Sequence, residues 1–235
     1  MELTDALRQR RSVRRYAERS IEAEKLDTLQ ALIKEINAKA ALHFQLITDE
    51  PEAFTSRLAH YGKFRDVRYY LALVGRKGKD LNERIGYYGQ QLVLLAEQIG
   101  LNTCWVALTY SKKKAQVDIA PDEQCVCLVS IGYGAEKPVR HKSKNFSQVS
   151  RVPKGLEIPE WFRSGVDAAL YAPTAINQQQ FRLILGEDGK SVTARRGIGF
   201  YSSVDLGIIR LNFEIGAGKD NFTWTDWQGH HNFLI

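Results

Sequence analysis

One pattern occurs twice in this chain. Phe44-Gln-Leu-Ile-Thr-Asp-Glu50 matches Phe181-Arg-Leu-Ile-Leu-Gly-Glu187. Gly89 to Gly100, a helical stretch ahead of Trp105, resembles Gly207 to Gly218 ahead of Trp224. Repetition at this scale constrains the fold, because two related units that share one chain bury their apolar faces against each other. The landmarks lie closer together in the second copy, so the second unit is the smaller. The expected class is therefore α+β, with two related α/β halves of mixed or antiparallel sheet flanked by helices. The expected boundaries are 1–146 for the first half, 147–158 for a linker and 159–235 for the second half.

Periodicity fills in the elements. Leu26, Leu29, Ile33 and Ile36 predict a helix from Ile21 to Asn37, with Glu22 and Glu24 in its first turn and Asn37 as terminator. A strand is expected from His43 to Thr48 and a helix from Phe54 to Tyr61. Tyr69 to Val74 is a continuous apolar run, which predicts a buried strand. Leu81 to Ile99 predicts the longest helix, stopped by Gly100. Leu101 to Thr109 continues as a strand or extended loop. Ser111 is positioned to cap a short basic helix, Lys112 to Gln116, and Gln124 to Ile131 reads as a strand. Thr4 is positioned to N-cap a short helix through Ala6 and Leu7. In the second half, Pro159 opens a helix from Trp161 to Tyr171, and Phe181 to Leu185 is a strand. The C-terminal run from Asn221 to His231 predicts an edge strand, with a lid as the alternative. His230 and His231 are neighbours and would face opposite sides of a strand, a poor metal pair.

Composition limits the function. The net charge is +6 and the isoelectric point about 9.2, which favours anionic ligands. No apolar run approaches the roughly 20 residues of a membrane span, and the N-terminus lacks the form of a signal peptide. Cys104, Cys125 and Cys127 have no disulfide or zinc spacing. Cys125 and Cys127 should share one strand face as buried thiols, consistent with a reducing, cytoplasmic setting. No nucleophile elbow, zinc helix motif or phosphate-binding P-loop occurs. That absence suits chemistry supplied by a cofactor.

Two segments then stand out. Arg10-Arg11-Ser12-Val13-Arg14-Arg15-Tyr16 is a knot of fixed positive charge. Guanidinium forks suit phosphate and other planar anions. On charge alone the segment reads as a solvated basic face or a nucleic-acid patch, although the basic residues do not alternate with aromatics in an RNA-binding pattern. The other segment is Ala172-Pro173-Thr174-Ala175-Ile176-Asn177-Gln178-Gln179, where proline stops a helix and small and amide side chains leave the backbone approachable.

The order of these motifs resembles the nitroreductase-like FMN oxidoreductases. The R-R-S-x-R-x-Y opening is similar to that family's N-terminal motif. The long helix ending in Gly-Leu-Asn-Thr-Cys-Trp105 and the strand ending in Ile-Gly-Tyr133 resemble its central elements. Ala172 to Gln179 resembles its A-P-S-x-x-N-x-Q loop, with Thr in place of Ser. In the family that loop comes from the other subunit of a homodimer. Here the corresponding first-half loop, Asn37 to Leu42, lacks the proline and the second amide, and the second half lacks the arginine motif. The chain therefore resembles a fused, pseudo-dimeric branch with one FMN site, over roughly Leu3 to Gly218.

The resemblance implies that FMN is held by Arg10, Arg11, Ser12 and Arg14, by Trp105, Ala107 and Leu108, by Lys142 and Lys144, and by Pro173, Thr174 and Asn177. Lys137 and Arg140 belong to the same basic stretch. Core packing is the plain reading of Trp105, and solvation that of the two lysines. The implied activity is hydride uptake from NAD(P)H and reduction of a small nitroaromatic or quinone acceptor, in ping-pong fashion. FMN binding without turnover, an unusual flavin chemistry such as reductive dehalogenation, and nucleic-acid binding are the rivals. The assembly would be a monomer with an internal pseudo-dimer, or a homodimer.

Overall fold

The structure is a computed structural model and describes residues 1–136, 142–227 and 234–235. Its first sheet contains β1 (Gln45–Ile47), β2 (Tyr69–Arg76), β3 (Asn102–Val106) and β4 (Glu123–Gly132), in the order β1-β2-β4-β3 with every pair antiparallel. Side chains alternate along β2. Tyr69, Leu71 and Leu73 enter the main core, while Tyr70, Ala72 and Val74 enter a second cluster with Phe54, Phe64 and Leu128. A strand covered on both faces has no polar side to show, which is why its sequence is one apolar run.

The second sheet contains β5 (Ser150–Arg151), β6 (Phe181–Leu185), β7 (Ser191–Arg196) and β8 (Thr223–Trp224), in chain order. β6 and β7 form an antiparallel hairpin, flanked on each side by a short parallel strand. The helices are α1 (Leu3–Gln9), α2 (Ala23–Ala40), α3 (Arg57–Tyr61), α4 (Leu81–Gln98), α5 (Phe146–Val149), α6 (Glu160–Ala169) and α7 (Ser202–Ala217). Among the described residues no helix is long and apolar enough to cross a membrane.

The halves meet through α4 and α7. A Cβ on Gly86 would overlap the backbone of Val204 and Ile208, and a Cβ on Gly207 would overlap that of Glu83 and Tyr87. The contact is reciprocal: each glycine meets the residue three before the other glycine and the residue one after it. Reciprocity of this kind is the mark of a twofold relation, here internal to one chain. It also corrects the sequence alignment. Gly207 corresponds to Gly86 rather than to Gly89, a shift of three residues that leaves the helical face almost unchanged and is therefore hard to detect by pattern.

Several expected elements differ. Helix α2 runs past Asn37 to Ala40 and stops at Ala41, whose backbone is left-handed. Asn37 instead brackets Phe44, donating Nδ2 to its carbonyl at 2.9 Å and accepting its N–H at 2.8 Å. Thr4 is not a cap; Glu2 precedes α1 without a side-chain bond. The helix expected from Phe54 to Tyr61 divides into a 3-10 turn, Glu52–Phe54, and α3, which Ser56 caps. Lys112 to Gln116 forms turns rather than a helix. Residues 147–158 include most of α5 and all of β5, so that stretch contributes an edge strand to the second sheet.

Cys125 and Cys127 do not share a face. Leu73 pairs with Cys127 and Val74 with Cys125, so Val126 is an extra residue in β4. This bulge turns Cys125 toward the second cluster and leaves Cys127 in the main core. The Val126 carbonyl takes the Tyr201 hydroxyl at 3.0 Å.

The C-terminal aromatics are core rather than lid. Trp161 stacks on Phe222 with ring centroids 5.6 Å apart, and Trp224 donates Nε1 to Glu214 at 2.7 Å. Arg210, 1% exposed, bonds to Glu83 at 2.5 Å and Asp226 at 3.0 Å between the rings of Trp224 and Trp227. His230 and His231 lie outside the described residues.

Candidate functional site

Helix α1 aims the basic segment. Its last carbonyls have no helical partner, and Arg11 closes them by donating Nη1 to Arg8, Gln9 and Arg10 at 2.6, 3.0 and 2.8 Å. The chain then lies along β3. Ser12 bridges Thr103, and the Val13 N–H donates to the Thr103 carbonyl at 3.0 Å. Buried Tyr16 donates its hydroxyl to the Val13 carbonyl at 2.8 Å and lies 2.8 Å from Ser130 Oγ. The motif tyrosine is thus an anchor that fixes the direction of the arginines.

Arg10 is 8% exposed, and burial lowers its pKa to about 10. Its Nε and Nη1 have no hydrogen-bond partner among the described residues. Burial likewise raises the Glu97 carboxyl, against the pull of Arg10. A guanidinium held out of water with open donors is a costly arrangement unless an anion completes it.

The second segment approaches from the other half. Helix α6 ends at Ala169, and after Pro173 the chain makes a 3-10 turn, Ala175–Asn177. Ile176, Asn177 and Gln179 all have left-handed backbones, unfavourable for any side chain and most of all for a β-branched one. Hydrogen bonds impose this shape. The Gln179 N–H donates to Thr174 Oγ1 at 3.0 Å, and the Asn177 N–H to the Thr174 carbonyl at 2.9 Å. Asn177 Nδ2 donates to the Lys142 carbonyl at 2.9 Å. Gln179 takes the Lys144 N–H at 2.7 Å, and the Lys144 ammonium donates to the Gln179 carbonyl at 2.8 Å. Lys142 and Lys144 are thereby tied to the loop.

The segments enclose a cleft of about 990 Å³. Arg10, Arg11, Ser12, Arg14, Lys142, Lys144, Pro173, Thr174 and Asn177 all line it. It adjoins a recess of about 100 Å³ lined by Trp105 and Ala107, and Ser12, Arg14, Pro173 and Thr174 border both spaces. Leu108 lines neither and is 49% exposed, so the structure separates it from the other eleven. Lys137 and Arg140 lie outside the described residues.

Sequence reasoning missed Asp205. It sits in the first turn of α7, is 4% exposed, and borders the recess. Its carboxylate accepts the Ala175 N–H at 2.9 Å and Gln178 Nε2 at 2.7 Å. Burial raises its pKa to about 6, although the Gln178 and Ala175 bonds pull the other way. The available signal was one charge inside an apolar run, Val204-Asp205-Leu206-Gly207-Ile208. Gln179 and Ile176 were visible in the motif but not recognised as wall residues. Cys104 and Cys127 also border the recess, and burial raises both thiols, which leaves no ready thiolate.

A family model described as "Putative TM nitroreductase" matches residues 2–217. No curated protein matches the sequence. Among solved structures, the chain is similar to a "putative nitroreductase" from Thermotoga maritima, at 21% identity and TM-score 0.63, over 94% of this chain and 85% of that one. It is also similar to a "Putative NADH dehydrogenase/NAD(P)H nitroreductase" from Parabacteroides distasonis, at 21% identity and TM-score 0.50, over 63% of this chain and 97% of that one.

Proposed function

From the premise that the chain belongs to the nitroreductase family whose model it matches, we propose that it is an FMN-dependent oxidoreductase with one flavin site between its halves. The observation that carries this reading is the convergence of Arg10–Arg14 and Pro173–Asn177, far apart in sequence, on one cleft. The residues present fit the cofactor. The cleft is large enough for a planar ring system with a phosphate tail. Its cations are gathered on α1, the extended segment that follows it and residues 142–144. Arg10 lines the cleft with Nε and Nη1 buried and unpaired, and the Glu97 carboxyl acts on it from within the protein.

FMN, when bound, supplies the redox chemistry, taking electrons from NAD(P)H and passing them to a small nitroaromatic or quinone acceptor. The protein's part is to bind, orient and shield. Arg10 and Arg14 would hold the anionic portions of the ligand. Pro173, Thr174 and Asn177 would form the wall opposite, with Trp105 and Ala107 behind the ring. Arg11 and Lys144 are already engaged by backbone carbonyls, so their share is to shape the site and supply field rather than to reach the ligand freely.

The test is the absorption spectrum of the purified protein. It should carry, or take up, FMN, and the flavin band should bleach on addition of NADH or NADPH and recover with a quinone. Protein that takes up no FMN would refute the reading. Protein that binds FMN without bleaching would leave a binding role in place of turnover.

A further inference from the structure

The loop opposite the arginines is strained, and one buried carboxylate spans the strain. Ile176 and Asn177 are consecutive left-handed residues, and Ile176 is 90% exposed, so no packing of its side chain favours that conformation. Asp205 Oδ1 accepts the N–H of Ala175, just before the pair, and Oδ2 accepts Nε2 of Gln178, just after it. The same Gln178 nitrogen donates to the Phe200 carbonyl at 2.8 Å, which fixes the amide's orientation. Nothing in the core requires a carboxylate here. Among the described residues no Lys or Arg stands in ion-pair range of Asp205, and its neighbours around the recess are Cys104 of β3, Cys127 of β4, Tyr201 before α7 and Arg14.

We propose that Asp205 is a positioning residue: its buried carboxylate staples the two ends of the strained turn and so builds the wall of the cleft that faces the arginines. What that wall serves rests on the FMN reading above. Only an ionised carboxylate accepts on both oxygens without a proton of its own. Protonation removes one acceptor, and turning the Gln178 amide to compensate would break its bond to Phe200. The wall is therefore formed when Asp205 is charged and loosened when it is neutral. Asn at this position keeps an acceptor for Ala175 but sets an amide N–H₂ against that of Gln178. Of the groups around the recess, Cys104, Cys127 and Tyr201 are held neutral by burial through this range. None of them titrates in its place.

The experiment compares the wild type, Asp205→Asn and Gln178→Ala. Amide hydrogen exchange of FMN-free protein, at one neutral pH, should show lost protection across residues 174–179 in both variants. The ratio of wild-type to Asp205→Asn affinity for FMN should rise about tenfold from near pH 5 to near pH 7.5, the size of one hydrogen bond to a charged acceptor, with the ligand phosphate's own titration cancelling in the ratio. In Asp205→Asn the affinity should be weaker at pH 7.5 and follow only the titration of the FMN phosphate, which both proteins share. Its melting temperature above pH 6 should be no lower than that of the wild type, which separates positioning from structural support. Unchanged exchange at 174–179 in both variants, or an Asp205→Asn protein with wild-type affinity and pH profile, would overturn the proposal. If the wild type takes up no FMN, the cofactor reading fails and the exchange data alone decide the staple. Gln178→Ala serves the same decision if Asp205→Asn does not fold.

Discussion

Gly86 and Gly207 face each other across the crossing of α4 and α7, each against the other helix's backbone. The two halves are brought this close by the absence of two side chains. Gly207→Ala must push the helices apart along their whole contact. We expect a loss of about 3 kcal/mol or more, beyond the usual range for overpacking because the obstacle is backbone. Urea unfolding would check it, with a lowered midpoint and an unchanged slope.

Buried Arg210 pairs with two carboxylates at the edge of the core, half-buried Glu83 and exposed Asp226. Burial already raises Glu83, and Arg210 opposes that shift. Arg210→Met removes the opposing cation and leaves the half-buried Glu83 carboxylate unpaired, which costs roughly 1–3 kcal/mol. The loss should shrink as pH falls and Glu83 takes up a proton. Thermal melts of parent and variant at acid and neutral pH would show the difference narrowing.

Arg11 and Arg14 separate folding from binding. Arg11 closes three carbonyls at the end of α1, so Arg11→Ala should cost about 1–2 kcal/mol of stability as well as FMN retention. Arg14 is exposed, and Arg14→Ala should change stability by less than about 0.5 kcal/mol. Its FMN affinity should still fall. Paired denaturation and flavin titrations would check both.

Asp205 gives the fold a pH dependence opposite to that of a salt-bridged carboxylate. Its ordinary value is 3.8 and its folded value about 6, so the folded state holds the proton more tightly. Stability therefore declines as pH rises between those values, by an amount on the order of 2–3 kcal/mol. Asp205→Asn should lack this component. Stability curves for the two proteins should diverge across that interval and run parallel above it.

Much of this was legible in the sequence because it depends on local chemistry. The apolar run of β2, the hairpin strand β6 and the Gly100 stop each follow from a rule acting within a few residues. The arginine segment and the proline loop were legible as motifs, and eleven of twelve expected side chains border the two adjoining spaces. What escaped depended on distant partners. Asn37 bonds to Phe44 rather than ending a helix, Asp205 is satisfied only by a loop some thirty residues earlier, and the α4–α7 register is set by a helix crossing. Leu108 follows a motif residue in sequence, but the chain turns it outward.

The extra residue at Val126 has a chemical consequence. Without it, the two sulfurs of β4 would lie in the same layer and meet reagents together. With it, Cys125 is half-buried, its thiol raised to about 11 by burial, and Cys127 is buried on the opposite face, at the wall of the recess. An alkylating agent at mildly alkaline pH should therefore label the native chain at Cys125 first, ahead of the buried Cys104 and Cys127. The order of modification, read by mass, would report on which side of β4 each sulfur lies, with no probe added to the protein.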